Sequence, residues 1–137
     1  MLLLRAEEIE DVIIMKKSEF YKKWLESFAQ GVAQSDMEKH VTSYGNFIWH
    51  VFSWELIDTE RYLEGESARK AYDKIKKDGA LYINWDDDEA QELVWPMTMA
   101  QQLDKFIEVY VVAPDFSWTY IKTHEYDCGP YFMEQCK

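Results

Sequence analysis

The sequence contains few of the residues that interrupt regular structure or cross-link a chain. Its 137 residues include only five glycines, three prolines and two cysteines. No stretch rich in glycine, serine or proline marks a linker, and no internal repeat is visible. A chain of this length matches the usual size of one domain and is long enough to bury a core. We therefore expect one domain over residues 1–137.

The shortage of cysteine excludes a disulfide-rich scaffold, which needs a much higher cysteine content. Cys128 and Cys136 lie eight positions apart, a separation that matches no zinc-binding motif. We expect both thiols to be reduced, with a disulfide between them as the alternative.

Long hydrophobic runs are also missing. No run of about 18 apolar residues is present, so the sequence predicts no membrane-spanning helix. The first residues, MLLLRAEEIE, place three leucines before a series of charges and lack the features of a signal peptide. These absences predict a soluble protein of the cytoplasm that does not associate with membranes.

Positive charge is scarce in this chain. Fifteen Lys and Arg residues stand against 26 Asp and Glu residues, which gives a net charge of −11. Such a surface repels a phosphate backbone, so nucleic acid is excluded as a partner. Negative charge favours encounter with a basic protein, and in the simpler interpretation it only keeps the protein soluble.

Aromatic residues, in contrast, are abundant. The chain has six Trp, nine Tyr and seven Phe, and 47% of its residues are hydrophobic. This supply predicts a packed core, since disordered chains carry far fewer apolar residues. Trp and Tyr also act as anchors in protein interfaces. The excess is therefore compatible with a core, a pocket or a binding face.

Hydrophobic periodicity divides the chain into helices and strands. Phe20, Trp24 and Phe28 recur at every fourth position, which predicts an amphipathic helix with Ser18 as its N-cap. This helix spans residues 18–30, and similar patterns predict helices over 35–40, 63–79 and 98–107. Runs rich in aromatic and β-branched residues predict strands over 46–54, 80–85, 108–113 and 116–125.

Together these elements predict an α+β fold. We expect a small, mainly antiparallel sheet of three or four strands, with two to four helices packed against one face. The last two strands form a hairpin that turns at Pro114 and Asp115. The acidic run 86–92 predicts a solvated loop or the first turn of a helix, and residues 1–17 fit either a helix or an extended segment.

Two segments resemble the signature blocks of a known family. They are WHVFSWELIDTERYLEGESARKAYDKI and FSWTYIKTHEYDCGPYF. Together they resemble the bacterial family named domain of unknown function 4275, whose members are short single-domain proteins. The residues that carry the resemblance are Trp49, His50, Phe52, Ser53, Gly65, Ala68, Trp118, Thr119, Thr123, His124, Glu125, Gly129, Pro130, Tyr131 and Phe132. The resemblance implies a bacterial, cytosolic protein and brings no reaction, cofactor or catalytic residue.

Two histidines lie in the predicted aromatic strands. On an extended segment alternate side chains share a face, which groups His124 with Trp118 and Tyr120, and His50 with Trp54. If the two strands are neighbours, both imidazoles face one shallow aromatic pocket and titrate near neutral pH. The predicted binding residues are His50, Trp54, Trp118, Tyr120, His124, Glu125 and Tyr131.

Simpler interpretations compete with this pocket. Each histidine could be a neutral core residue that hydrogen-bonds the backbone. A metal site at His124, Glu125, Asp127 and Cys128 is disfavoured, because neighbours on a strand point to opposite faces. Neither a nucleophile elbow nor a phosphate-binding loop occurs, and the acidic run lacks the spacing of a calcium loop. We therefore predict no metal and no other cofactor.

Three functions fit these observations. The leading hypothesis is a non-enzymatic interaction module that offers aromatic anchors on an acidic surface to a basic protein, for example an immunity-type inhibitor. The alternative is a small enzyme or ligand-binding protein that uses His50 and His124, with Glu125 orienting a histidine or acting as a base. Self-association through the surplus aromatic residues is the third.

Overall fold

The computed structural model describes residues 15–41, 47–94, 97–125 and 127–135. In these residues seven strands form one sheet of the order β1-β4-β3-β5-β6-β7-β2, and all neighbouring strands are antiparallel. The strands are β1 (Met15–Lys16), β2 (Tyr62–Glu64), β3 (Leu81–Asn84), β4 (Glu89–Glu92), β5 (Val109–Val112), β6 (Trp118–Lys122) and β7 (Tyr131–Glu134). The helices are α1 (Lys17–Phe28), α2 (Gln34–His40), α3 (His50–Ser53), α4 (Glu66–Lys74) and α5 (Ala100–Leu103), and a 3-10 turn covers Thr59–Arg61. The predicted α+β class is confirmed.

The hairpin of β5 and β6 forms the centre of the sheet. Every residue of β5 is buried, and its register pairs Val109 with Lys122 and Val112 with Thr119. β-branched and aromatic side chains suit such a strand because they pack well on a pleated surface. This hairpin was predicted from the sequence and is confirmed.

The sheet carries a hydrophobic core on each face. Along β5, Tyr110 and Val112 point into one core, and Val109 and Val111 point into the other. The first core also contains side chains of α1 and α3, and the second contains side chains of α4 and α5. The expectation that the helices cover one face is therefore wrong, because a sheet whose strands are apolar on both faces needs helices packed on each face.

Helix α1 packs on the first face in the predicted manner. Phe20, Trp24 and Phe28 are its buried residues, and the indole Nε1 of Trp24 donates a hydrogen bond of 2.9 Å to Thr119 Oγ1 in β6. The helix begins at Lys17 without a side-chain cap, so the predicted N-cap at Ser18 is wrong. Helix α2 matches its predicted segment except that it begins one residue earlier, and α4 and α5 lie within predicted segments but are much shorter than them.

The segment predicted as a strand over 46–54 is not a strand in its described part, residues 47–54. Ile48 and Trp49 lie in a turn, and α3 follows at His50–Ser53. Trp49, Val51 and Phe52 are all buried, which the short helix achieves without a neighbouring strand. Aromatic and β-branched residues here reflect burial rather than an extended backbone.

The second half of the acidic run forms a strand where the sequence predicted a loop or a helix, whereas residues 86–88 form the predicted loop. In β4 only Ala90 is buried, and the flanking acidic and amide side chains are exposed. The strand pairs with β3 and with β1, whose Met15 faces Ala90. Strands β2 and β7 were not predicted either. None of the helices in the described part of the chain is long and apolar enough to cross a membrane.

We expect Gly129→Ala to destabilise the fold. Gly129 has a φ of +84°, and a Cβ atom there would lie 3.2 Å from the ring of Tyr131 and 3.3 Å from Thr123 Cγ2. A left-handed backbone costs a residue with a Cβ about 1 to 2 kcal/mol, and these contacts add to that cost. Urea unfolding should show a loss of at least about 1 kcal/mol in the free energy of unfolding.

Gly31→Ala is the matched control for this change. A Cβ at Gly31 would meet no atom within 4 Å. Its free energy of unfolding should stay within about 0.5 kcal/mol of the unchanged protein. Equal losses in the two variants would contradict the role assigned to the conformation of Gly129.

Candidate functional site

A carboxylate lies in the interior of the protein. Glu108 directly precedes β5 and exposes none of its surface. Because side chains alternate along a strand, it lies on the same face as Tyr110, towards the first core. A buried carboxylate is costly unless donors surround it, so its partners define the site.

Glu108 accepts four hydrogen bonds from three residues. Its Oε1 accepts from Trp49 Nε1 at 2.9 Å, from the backbone N–H of His124 at 3.2 Å, and pairs with His124 Nδ1 at 2.6 Å. Its Oε2 accepts from the hydroxyl of Tyr110 at 2.8 Å. Hydrogen bonds to an ionised acceptor are stronger than those between neutral groups, so this shell stabilises a buried negative charge.

His124 links this carboxylate to the surface. It follows β6, and its half-buried ring packs against Phe47, Trp49 and Trp85 at centroid distances of 4.8, 5.6 and 6.1 Å. With Nδ1 paired to Glu108, the other ring nitrogen, Nε2, lies 3.3 Å from Glu125 Oε2. A carboxylate at Nδ1 fixes the tautomer and orientation of an imidazole. Acid–base chemistry at His124 would therefore use Nε2.

His50 lies next to this network. Its ring packs against that of Trp49 in a tilted arrangement with a centroid distance of 4.2 Å, and its Nδ1 is 2.8 Å from Ser53 Oγ. Burial lowers the pKa of His50, and nearby His124 lowers it further, against the opposing effect of the Glu108 carboxylate. Both histidines thus contact Trp49. A turn and a short helix place His50 near His124, whereas the prediction assumed neighbouring strands.

A cavity of about 640 Å³ adjoins Glu108. The described residues that line it are Lys17, Ser18, Tyr21, Lys22, Leu25, Met37, Val41, Phe47, Ile48, Trp85 and Glu108. Most of these side chains are apolar or aromatic. Burial, reinforced by the Glu108 charge, raises the pKa of Tyr21 to about 12, so its hydroxyl stays protonated at neutral pH. The wall thus combines apolar surface with a few polar groups in fixed positions.

The predicted site residues separate into different parts of the molecule. His50, His124 and Glu125 lie together, as described above. Trp118 and Tyr120 are buried in the second core, on the opposite face of the sheet. Tyr131 is buried in the first core, and Trp54 is 47% exposed with its ring 4.5 Å from that of His40.

The aromatic pocket expected between His124, Trp118 and Tyr120 is therefore not formed. The expectation assumed that residues 116–125 are extended throughout. Strand β6 ends at Lys122, and His124 lies in a bend. Alternation along the strand consequently does not determine the direction of the His124 side chain, which turns towards Glu108 on the first face.

The central residue of the site, Glu108, was missed in the sequence. It was placed at the start of a predicted strand without a role of its own. The available signal was a single acid between the apolar pair FI and the apolar run VYVVA, with the same alternation as Tyr110. Tyr21 and Trp85 were likewise assigned to a helix and a strand only, although they line the cavity.

A second, smaller cavity of about 210 Å³ is lined in part by His124. Glu125, Cys128 and the ion pair of Arg69 with Asp104, 2.8 Å apart, contribute to its lining. Burial raises the pKa of the Cys128 thiol, which leaves less of the nucleophilic thiolate. Within the described ranges no group of three or more His, Cys, Asp or Glu side chains is arranged to hold a metal ion.

We expect Glu108→Leu to destabilise the protein strongly. Leucine fills a similar volume but leaves the donors of Trp49, Tyr110 and His124 without an acceptor in the interior. Each such group costs about 1 to 3 kcal/mol, so urea unfolding should show a loss of about 3 kcal/mol or more. Glu108→Gln keeps one acceptor oxygen and should lose less.

Glu92→Leu provides the control for this series, because Glu92 is exposed on β4. Its free energy of unfolding should change by no more than about 0.5 kcal/mol. If Glu108→Leu proved as stable as Glu92→Leu, the four hydrogen bonds would not stabilise the fold.

The lowered pKa of His50 predicts a pH dependence of stability. The unfolded chain binds a proton at this residue near the ordinary value of 6.5, and the folded protein binds it only at lower pH. Protonation therefore favours unfolding as the pH falls from about 7 to 5. We expect His50→Gln to lose less free energy of unfolding over this interval than the unchanged protein. Identical pH profiles of the two proteins in urea unfolding would contradict this.

Comparison with known proteins agrees with the resemblance noted in the sequence. The family model described as "Domain of unknown function (DUF4275)" matches residues 3–132. No curated protein and no solved structure matches the chain. The match covers nearly the whole sequence, including every residue of the site built around Glu108. The chain therefore belongs to the DUF4275 family.

Proposed function

We propose that this protein binds a small molecule with an apolar body in the cavity beside Glu108. The observation that carries the proposal is the combination of a cavity of about 640 Å³ with a buried carboxylate on its wall. Sites for small ligands are typically concave, of about 300 to 1,000 Å³, and mostly apolar with a few placed polar groups. The cavity has each of these properties.

The walls of the cavity come from well-packed parts of the fold. Val41 and Ile48 are each 2% exposed and belong to the first core. Leu25 and Met37 pack against the same core from α1 and α2. Such walls hold their shape without a ligand, which lowers the conformational entropy that binding would cost.

The carboxylate of Glu108 supports a binding role more than a purely structural one. Transfer of such a group from water costs several kcal/mol, and a core in which apolar side chains replaced both the carboxylate and its donors would often be as stable. The Glu108 carboxylate instead holds two aromatic residues and a histidine in fixed positions near the cavity. The site is thus kept in position by an interaction that stability alone does not require.

The hypothesis of a protein-interaction module receives less support from the geometry. Such a module needs aromatic anchors at its surface. Of the anchors predicted from the sequence, Trp118, Tyr120 and Tyr131 are buried, and Trp54 is exposed. A basic protein partner for the acidic surface stays a prediction.

An enzymatic alternative to the proposal would use His124 at the smaller cavity. Its Nδ1 is paired with Glu108, as in carboxylate–histidine pairs that orient a general base. Glu125 Oε2 lies 3.3 Å from Nε2, so this carboxylate would shuttle a proton to or from the surface. The pair would then act on a ligand placed in the smaller cavity, which His124 and Glu125 both line.

The uncharged dye N-phenyl-1-naphthylamine, which fluoresces in apolar surroundings, tests the binding proposal. We expect saturable binding of one dye per chain in a fluorescence titration. Leu25→Trp places a larger side chain on the cavity wall and should weaken dye binding by at least about tenfold. Glu26→Trp adds the same ring at the next, exposed position of α1 and should leave binding unchanged.

Circular dichroism and thermal unfolding of both variants establish that they are folded. Equal dye affinity in the Leu25→Trp and Glu26→Trp proteins would place the dye outside the cavity and reject the proposal. The absence of any saturable binding to the unchanged protein would reject it as well.

A further inference from the structure

We infer that the cavity selects small organic anions, with an acidic group at Lys17 and Lys22 and an apolar body against Leu25, Met37 and Ile48. This inference rests on the proposed function and adds the chemical class of the ligand. Medium-chain fatty acids and small aryl acids belong to this class. The argument depends on the charges of the cavity wall, the arrangement of α1 and the contacts of Lys17.

The charge of the cavity wall differs in sign from that of the chain. Among the described residues that line the cavity, the charged ones are Lys17, Lys22 and Glu108. Glu108 exposes no surface and both of its carboxylate oxygens accept hydrogen bonds, so a ligand does not contact this charge directly. Among the described lining residues, the two ammonium groups are therefore the charged groups that a ligand can contact, although the whole chain has a net charge of −11.

One side of helix α1 supplies both the charged and the apolar part of the wall. Lys17, Tyr21 and Leu25 follow one another at every fourth position, and Ser18 and Lys22 lie beside them. Lys17 and Leu25 are separated by about 12 Å along the helix axis. Val41 and Ile48, which are buried, continue the apolar part into the core. A ligand with one polar end and an apolar body would match this change from charged to apolar surface along the wall.

Lys17 is held in place while keeping the capacity to bind an anion. Its Nζ donates a hydrogen bond of 2.6 Å to the carbonyl oxygen of Trp85 and lies 5.7 Å from the ring centroid of Tyr21. An ammonium group has three N–H donors, so others can point towards a ligand. Tyr21, whose hydroxyl stays protonated at neutral pH and is hydrogen-bonded to Tyr110, lies on the same wall.

The same charges disfavour other ligands. A cationic ligand would meet two ammonium groups, and like charges brought together oppose binding. A neutral ligand of equal size would gain the apolar contacts but no charge-assisted hydrogen bond. Because Lys22 is exposed, the electrostatic part of the affinity should fall as the salt concentration rises.

Three probes with the same chain but different charge test the inference. Octanoate, 1-octanol and n-octylammonium are titrated into the intact protein at about pH 7 and low salt, with the methyl NMR signals of Met37 and Ile48 as the readout. We expect octanoate to bind at least about tenfold more tightly than octanol, and octylammonium to bind most weakly. Salt should weaken the binding of octanoate only.

Lysine variants connect this selectivity to the cavity. Lys17→Met with Lys22→Met should reduce the affinity for octanoate to that for octanol and leave octanol binding within about twofold. Lys22→Met alone, which preserves the contact of Lys17 with Trp85, should cause part of this loss. Lys23→Met is the control, because Lys23 follows on the same helix and lies 6.0 Å from the ring of Phe116, outside the cavity lining.

The outcomes separate the two levels of the proposal. Equal affinity for the three probes, or unchanged octanoate binding in the double variant, would overturn the anion selectivity and leave a general apolar cavity. Tighter binding of octylammonium than of octanoate would overturn it too. If no probe shifts the signals of Met37 and Ile48, both the selectivity and the proposed binding function are rejected.

Discussion

Removing the charge of Glu108 from water is the costly step on which the arrangement of this protein depends. The cost is offset only if donors meet both carboxylate oxygens, and here they come from Trp49, Tyr110 and His124. The turn before α3, the central strand and the bend after β6 are thereby fixed relative to one another by electrostatics as well as packing. Phe47 and Trp85, which pack on His124, extend this order to the cavity wall.

Local patterns were sufficient to predict the central hairpin, α1 and the presence of α2, α4 and α5, because each has a clear periodicity or turn signal. They failed for residues 47–54, where an apolar composition indicates burial but does not distinguish a short helix from a strand. They also failed for β4, which buries only Ala90 among acidic and amide neighbours. Strands β2 and β7 depend on pairing with each other and with β6, and such long-range pairing leaves little trace in a local pattern.

The site was predictable in part. The proximity of His50 and His124 was expected, but from neighbouring strands, whereas both residues in fact pack on Trp49. Extending strand alternation past Lys122 assigned His124 to the face of Trp118 and Tyr120, whereas its side chain turns towards Glu108 on the other face. Glu108 could not be identified as the centre, because its importance comes from a donor 59 positions away in the chain.

The separation of these partners also has a consequence for how the chain assembles. The indole of Trp49 is 59 positions from Glu108, and the imidazole of His124 is 16 positions from it. Until both side chains reach Glu108, its carboxylate must stay hydrated, since removing water from it without hydrogen-bond donors is unfavourable. Closing a long loop lowers the conformational entropy of the chain before the contacts that it allows have formed. The interior of the sheet beside Glu108 should therefore become dry only late in folding, after distant segments have docked.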